Sequence, residues 1–513
     1  MADEDNLFEQ QVVQYVEWIA GYAKIAPEFR QLRDYMNANV TCKMSAGDFA
    51  HIHDYFLAKG LPSLSSVYES RTGRVGLVRK EGGGRVIILR GLPEIGILRN
   101  IGAYYRIDPE FFRRHLEFLV SSSRDVGNRF AWPVLPSAST YIIQLRVPVI
   151  GCKPGALKNY VVNEIKAARA HSRETIEIYL KELRKSENWI PGQSFGRDHE
   201  VFDAQHFMVD QRVTIYLNPG GKNLRHWIVV IWRDSGVDTN SGCRPPWLDG
   251  YLEFLSPPRY ASGKALQFQQ LLKLEQPLPS DTVATNCLYA LRDVLNDSAA
   301  AVNQLLNLIS SKLSSQLENL SIYSKNDSVI NLAQINAIHS RKILEGQLQD
   351  LRGAADFIKH QRTLLTSARI SRNTQSSDGE EKADPLIGFI QSIESTESDF
   401  QFLIKRSETL ISSTENVLSM AMSNATIAES KRGLEMSQNM FNFTLLASFY
   451  VPLSFVASFF GMNFVQFGQG ELDLRLFFYV AVPVFFLSLT LILLDIRKYL
   501  HRFIAFWARL LRY

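Results

Sequence analysis

Two charge-free apolar runs near the C-terminus constrain this chain more than any other feature of its sequence. Between residues 436 and 470 there is no Asp, Glu, Lys or Arg, and residues 440–460 are largely apolar or small. About 20 such residues, coiled as a helix, match the hydrocarbon thickness of a bilayer. Residues 476–494, LFFYVAVPVFFLSLTLILL, form a second run bounded by Arg475 and Asp495. Two spans joined by a short loop make a hairpin, and the flanking charges set its direction. Lys431 and Arg432 precede the first run, Arg497, Lys498, Arg502, Arg509 and Arg512 follow the second, and the loop carries Glu471, Asp473 and Arg475. By the positive-inside rule both termini face the cytosol. The expectation is an integral, multi-pass protein in the lipid bilayer of the plasma membrane, with an endomembrane as the alternative. A simple membrane anchor needs no more than this, so the rest of the chain has to say what the hairpin is for.

With 513 residues the chain exceeds one ordinary core, so several structural units are expected. Its 56 Lys+Arg against 52 Asp+Glu leave a net charge of +4, which argues against a nucleic-acid partner. Cys42, Cys152, Cys243 and Cys287 are widely spaced, as reduced thiols rather than a disulfide framework. The acidic, polar first ten residues resemble neither a secretory signal nor a mitochondrial presequence. Gly82, Gly83 and Gly84 lead into a strand pattern rather than a helix N-terminus, so they form no phosphate cradle. His51 and His53, read as part of a helix, point to different sides, and no further ligands cluster nearby. No nucleophile, base and orienting group can be placed together, so an enzyme is not expected, and no cofactor is implied.

The organisation ahead of the hairpin is an α+β domain followed by long helices. Residues 1–70 have helical character, amphipathic over 9–22, without a legible role. Residues 71–270 form an α/β domain, with β-branched runs at 74–78, 85–89, 141–149, 213–217 and 226–233. The glycines at 82–84 and Asn218-Pro219-Gly220-Gly221 supply hairpin turns between neighbouring runs. Residues 271–372 read as an antiparallel helical pair broken at Ser324-Lys325-Asn326-Asp327. The polar stretch 373–384 is a flexible linker, and Asp384-Pro385 restarts a helix as cap and first residue. From there a stalk at 385–439 runs into the first span at 440–460. Apolar residues recur by sevens along it, with Leu386, Ile393 and Phe400 on one line and Leu403, Leu410 and Val417 on another. Unbroken to Phe460, such a helix extends roughly 110 Å. The outer loop at 461–475, the second span at 476–494 and a basic amphipathic tail at 495–513 complete the chain.

At the non-cytosolic end of the first span stands Phe459-Phe460-Gly461-Met462-Asn463-Phe464, with Pro452 in the helix before it. This resembles the CorA-like magnesium transporter family, whose first membrane helix ends in Gly-Met-Asn ahead of a short loop and a second helix. Gly461, Met462, Asn463 and Phe464 match; Phe460 replaces the usual Tyr, and the loop lacks the frequent Met-Pro-Glu-Leu stretch while keeping Glu471 and Asp473 as mouth acids. In the cytosolic part Arg90-Gly91-Leu92-Pro93-Glu94 and Ile107-Asp108-Pro109 look like the family's strand, turn and helix segment. The resemblance implies a homo-oligomer, pentameric in the family, with a funnel of α/β domains and stalks below a pore of first spans. It also implies transport of Mg²⁺ or other divalent metal ions, driven passively by membrane potential, and a basic cytosolic collar at Arg497, Lys498 and Arg502.

The chemistry of the motif agrees. Mg²⁺ gives up its water reluctantly, so a ring of neutral Asn463 carbonyls suits the hydrated ion, while Gly461 lets backbones approach closely. Two helices cannot enclose a wet path in lipid, so a pore requires oligomerisation. At about 100° per residue, Met440, Thr444, Ala447, Val451, Ser454 and Ser458 fall on one narrow face of the first span. That face either lines the pore or packs on another helix, since both favour small residues. In the pore reading Met440 and Val451 are its hydrophobic constrictions. The alternatives are a zinc transporter of the ZntB-like kind and a non-conducting membrane scaffold or signalling protein.

Overall fold

The structure is a computed structural model that describes residues 2–25, 29–37, 50–56, 83–120, 140–152, 161–184, 194–218, 227–236, 253–254, 291–322, 326–373, 385–460 and 474–493. It divides into two compact units, Met1–Ala421 and Met422–Tyr513. The first unit contains a seven-stranded sheet. Its strands are β1 (Ala50–Phe56), β2 (Gly83–Arg90), β3 (Ile142–Cys152), β4 (Asp198–Val201), β5 (His206–Asn218), β6 (Ile228–Arg233) and β7 (Glu253–Phe254). They are ordered β1-β2-β6-β5-β3-β7, with β4 on β5. Strand β5 pairs with β3 along one edge, while β4 and then β6 share the other. All pairs are antiparallel except β2 with β6. Every residue of β6 is buried, as expected of a Val/Ile-rich strand covered on both faces.

The β-branched runs at 85–89, 141–149 and 213–217 thus correspond to strands β2, β3 and β5, and 213–217 with 228–233 is an antiparallel pair. Two expectations change. Residues 50–56, read as part of a helical region, are β1 at a sheet edge, and β1 rather than 74–78 is the antiparallel neighbour of β2; 74–78 lies outside the described residues. Ladder hydrogen bonds with β2 override the weak helical pattern there. In a strand, positions two apart share a face, so the helical reason for setting aside His51 and His53 does not hold. Among the described residues, however, no group of three or more His, Cys, Asp or Glu is arranged to hold a metal ion.

One face of the sheet is covered by α1 (Ala2–Ile25), α2 (Arg30–Asn37), α3 (Ile95–Tyr105), α4 (Pro109–Val120) and part of α5 (Val162–Arg184). The N-terminal region is therefore part of the core. Tyr15, Ile19 and Ala23 of α1 are buried there, and the Tyr15 hydroxyl donates to Ile107 O at 2.7 Å. Tyr15 lies over Gly102, where any added Cβ would meet its ring. The segment between β2 and α4 behaves as its residues suggest. Gly91 takes a positive φ of 59°, its N–H donates to Arg233 O at 2.8 Å, and its carbonyl accepts from Trp232 Nε1 at 2.8 Å. Asp108 accepts from the Glu110 N–H at 2.9 Å at the start of α4.

Among the described residues, three histidines of this unit are buried. His115 stacks on Trp232 with ring centroids 4.0 Å apart and lies 3.2 Å from Asp234, itself held by Arg197 at 2.6 Å. Although the His115–Asp234 distance suits an ion pair, burial, with Arg197 and Arg212 nearby, pushes the imidazole well down, so it is neutral. Burial likewise lowers His199 to about 4 and His339 to about 3.

The remaining helices of the first unit form a bundle: α6 (Arg292–Ile322), α7 (Asp327–Asn373) and the part of α8 (Pro385–Phe460) up to Ala421. Helices α6 and α7 lie along β3, where Ser298 donates to Arg146 O and Arg146 pairs with Asp210 at 2.6 Å. Each helix buries a stripe, and on α7 and α8 its spacings alternate between three and four, the pattern of supercoiled bundles. On α8 it comprises Ile393, Thr396, Phe400, Leu403, Ser407, Leu410, Thr414, Val417, Ala421 and Asn424, the last already in the second unit. Arg362, Arg352 and Arg341 of α7 pair with Glu397, Glu408 and Glu415 of α8, at 2.9, 2.7 and 3.2 Å, so these helices run antiparallel. Asn303 and Asn307 of α6 accept from Arg406.

Candidate functional site

The second unit contains α8 from Met422 onward and α9 (Leu474–Leu493). Within Ile393–Ser458, α8 has a stretch long and apolar enough to cross a membrane, and that stretch is almost wholly exposed. A buried core helix would pass the same length test but would be covered by its own chain. The apolar portion Arg475–Leu487 of α9 is shorter among the described residues. Both helices contain a proline, Pro452 and Pro483.

The two helices touch along one line. Val456 and Ala481 bury each other, with Phe477, Val480 and Val484 packed around them, and Phe449 lies 5.0 Å from Phe485. Moving back along α8 from Val456 to Phe449 moves forward along α9 from Ala481 to Phe485, so they run antiparallel. Taking about 100° per residue, Phe449 and Val456 sit roughly 160–180° round the helix from Met440 and Ser458. The six stripe residues stay within about 40° of that opposite line. All six are exposed, Met440 at 65% and Val451 at 64%. The stripe therefore does not pack on α9, and the structure brings its residues together as one open face.

Hydroxyls on this face bond back into the helix. Thr444 Oγ1 donates to Met440 O at 2.8 Å and Ser454 Oγ to Val451 O at 3.1 Å. The line continues below Met440, which the sequence reading missed because it stopped at the edge of the apolar run. Thr426, Glu429, Gly433 and Met436 fall within about 40° of it, and extending the spacing of three and four downward would have found them. Thr426 Oγ1 donates to Met422 O at 3.0 Å. Lys431 and Glu435, an ion pair at 3.9 Å, lie on the other side of the helix, whereas Glu429 has no ion pair among the described residues. Gly461, Met462, Asn463, Glu471, Asp473, Arg497, Lys498 and Arg502 lie outside the described residues.

Comparison with known proteins finds a similarity over these helices. Residues 275–498 match the family model described as CorA-like Mg2+ transporter protein. The match spans α6 to α9 and bears out the resemblance seen in the sequence; it begins after the sheet domain and so does not reach the segment 90–117. No curated protein matches the chain. A solved structure, the CorA magnesium transporter from Methanocaldococcus jannaschii, aligns at 11% identity with a TM-score of 0.31, covering 89% of this chain and 99% of that one.

Proposed function

We propose that the protein is a homo-oligomeric divalent-cation channel in which the stripe of α8 faces a shared aqueous axis. The observation that carries this reading is the direction of the stripe. A chain that supplies two apolar helices uses α9 to bury Val456 and to meet the Phe449 ring, and leaves the small and hydroxylated face opposite uncovered. In lipid a polar stripe needs either water or another polar surface, and copies of α8 around an axis supply both. Five copies is the number implied by the CorA resemblance. Residues 476–494 act as the second span, and both termini lie in the cytosol.

Mg²⁺ enters with its water shell and meets a ring of Asn463 oxygens beyond the outer end of the stripe. Glu471 and Asp473 raise the local cation concentration at that mouth. Met440 and Val451 form apolar constrictions, and Arg497, Lys498 and Arg502 form a basic collar on the cytosolic side. Flow is passive and follows the membrane potential, worth about 2.3 kcal/mol per elementary charge per 100 mV.

Uptake of Mg²⁺ into liposomes holding the purified full-length chain tests this. The wild type is expected to carry Mg²⁺, and Asn463→Ala to lose at least about tenfold in rate or in preference for Mg²⁺, the scale of a few lost hydrogen bonds to the ion's waters. Robust and equal uptake by both would remove Asn463 as the filter. Transport of Zn²⁺ with exclusion of Mg²⁺ would favour the ZntB-like alternative, and a correctly inserted chain carrying no metal would favour the scaffold.

A further inference from the structure

Where the sheet meets the helical bundle, two titratable side chains are buried face to face. Glu200 of β4 and His339 of α7 are 5% and 6% exposed, and Glu200 Oε2 lies 3.6 Å from His339 Nε2. That gap is just beyond a hydrogen bond, and His339 Nε2 has no hydrogen-bond partner among the described residues. Charged groups reach the pair from every side. On α7, Lys342 Nζ stands 3.6 Å from Glu200 Oε1. On α5, Arg169 is committed to Val201 O, Phe202 O and Asn336 Oδ1 at 2.9, 3.3 and 2.7 Å, and Arg173 acts on both members of the pair. On β4, Asp198 shares the face of Glu200, whereas His199 turns to α5, with Nδ1 2.6 Å from Ser172 Oγ. In the turn between β4 and β5, Asp203 is held by Lys312 of α6.

The spacing suggests an ion pair, but burial defeats it. Desolvation, helped by Arg169, Lys342 and Arg173, lowers His339 to about 3, so the imidazole is neutral and its Nε2 can accept. Desolvation and then Asp198 raise Glu200 above 4.5, against the pull of Lys342 and Arg173. A carboxylate that holds its proton readily thus faces an acceptor that has none. We infer that Glu200 and His339 form an acid-closed clasp, in which Glu200 takes one proton from solvent on Oε2 and donates it to His339 Nε2, drawing α7 onto β4. Closure shortens the gap to about 2.8 Å, an ordinary hydrogen bond. Arg341, in the same turn of α7, pairs with Glu415 of α8 at 3.2 Å, so the clasp acts where α7 also grips α8. Glu200 binds the proton more readily in the folded chain than in the unfolded one. The clasp therefore adds stability as pH falls through the folded pKa, and the gain is complete below 4.5.

Glu200→Gln puts an amide donor where the protonated acid would be and removes the buried charge. In the full-length protein in detergent, E200Q is expected to melt about 2 °C or more above the wild type near pH 7.5, and the difference should close as pH falls to 4.5. Infrared difference spectra of wild type against E200Q should show a carboxylic acid band with a midpoint above 4.5. His339→Phe removes the acceptor and should lower that midpoint by about one pH unit. An E200Q protein that melts below the wild type near pH 7.5, as loss of an ion pair with Lys342 would give, overturns the inference. So does an acid band that H339F leaves unmoved. Where H339F fails to fold, the E200Q comparison alone decides.

Discussion

Helix α8 treats its apolar residues in two ways. From Ile393 to Asn424 it buries a stripe at spacings of three and four, whereas between residues 425 and 455 nothing is buried. The upper stretch is no less apolar, since Ile427, Leu434, Met436, Phe441 and Phe443 are all at least 63% exposed. In the lower stretch the cover comes from α6 and α7 of the same chain, with Arg–Glu pairs along the seam. Among the described residues the upper stretch buries Val456 in a narrow contact with α9. In the proposed channel that apolar surface is covered by lipid and by other copies, since a stable protein does not leave so much of it in water.

Four interventions sharpen or break that contrast. The largest effect is expected from Val417→Asp, which places a charge in the fully buried stripe and should cost more than about 3 kcal/mol in denaturant unfolding of the first unit. Ile427→Asp, ten residues further on, should leave that unfolding transition within about 0.5 kcal/mol while weakening assembly in detergent. Equal destabilisation by the two would erase the distinction between the stretches.

Acid should act on the first unit alone. His115, His199 and His339 have pKa values lowered by burial from 6.5, so below that pH the unfolded chain takes up protons that the folded chain refuses. Stability should fall as pH drops from 6.5 toward about 5, by at most roughly 1.4 kcal/mol per pH unit for each histidine. Lower still, Asp198, Glu200 and Asp350, whose pKa values burial raises, act in the opposite direction. The second unit has no buried ionisable side chain among the described residues, so the helical signal of the hairpin should not follow that curve. The smallest effect is expected at the exposed seam: Arg352→Ala should cost less than about 1 kcal/mol, because a solvated ion pair gains little over hydration.

Much of this was legible in the sequence because the responsible patterns are local. Charge-free runs, heptad lines and the Asp384-Pro385 restart depend on neighbours within a few turns, and α8 begins at Pro385. The stripe was legible for the same reason, although its direction was not. Whether Thr444 and Ser454 or Phe449 and Val456 face α9 depends on a contact between separate helices. Strand β1 was hidden because its partner β2 lies about thirty residues on, and pairing across that distance overrides a weak local pattern. The docking of α1 was hidden likewise, since Tyr15 meets Ile107 and Gly102 far along the chain. The buried His115–Asp234–Arg197 cluster joins residues from three separate segments, and no spacing in the sequence announces it.

The central claim is that one face of α8 meets water inside an assembly while the opposite face meets α9. Single cysteines placed along residues 440–458, in a chain whose four native cysteines are replaced, can be probed in liposomes with a charged, membrane-impermeant thiol reagent while Mg²⁺ uptake is followed. The account predicts modification and block at positions 444, 447, 451, 454 and 458, with 449 and 456 protected. Modification at 449 and 456 with the stripe silent, or uniform protection throughout, would contradict it.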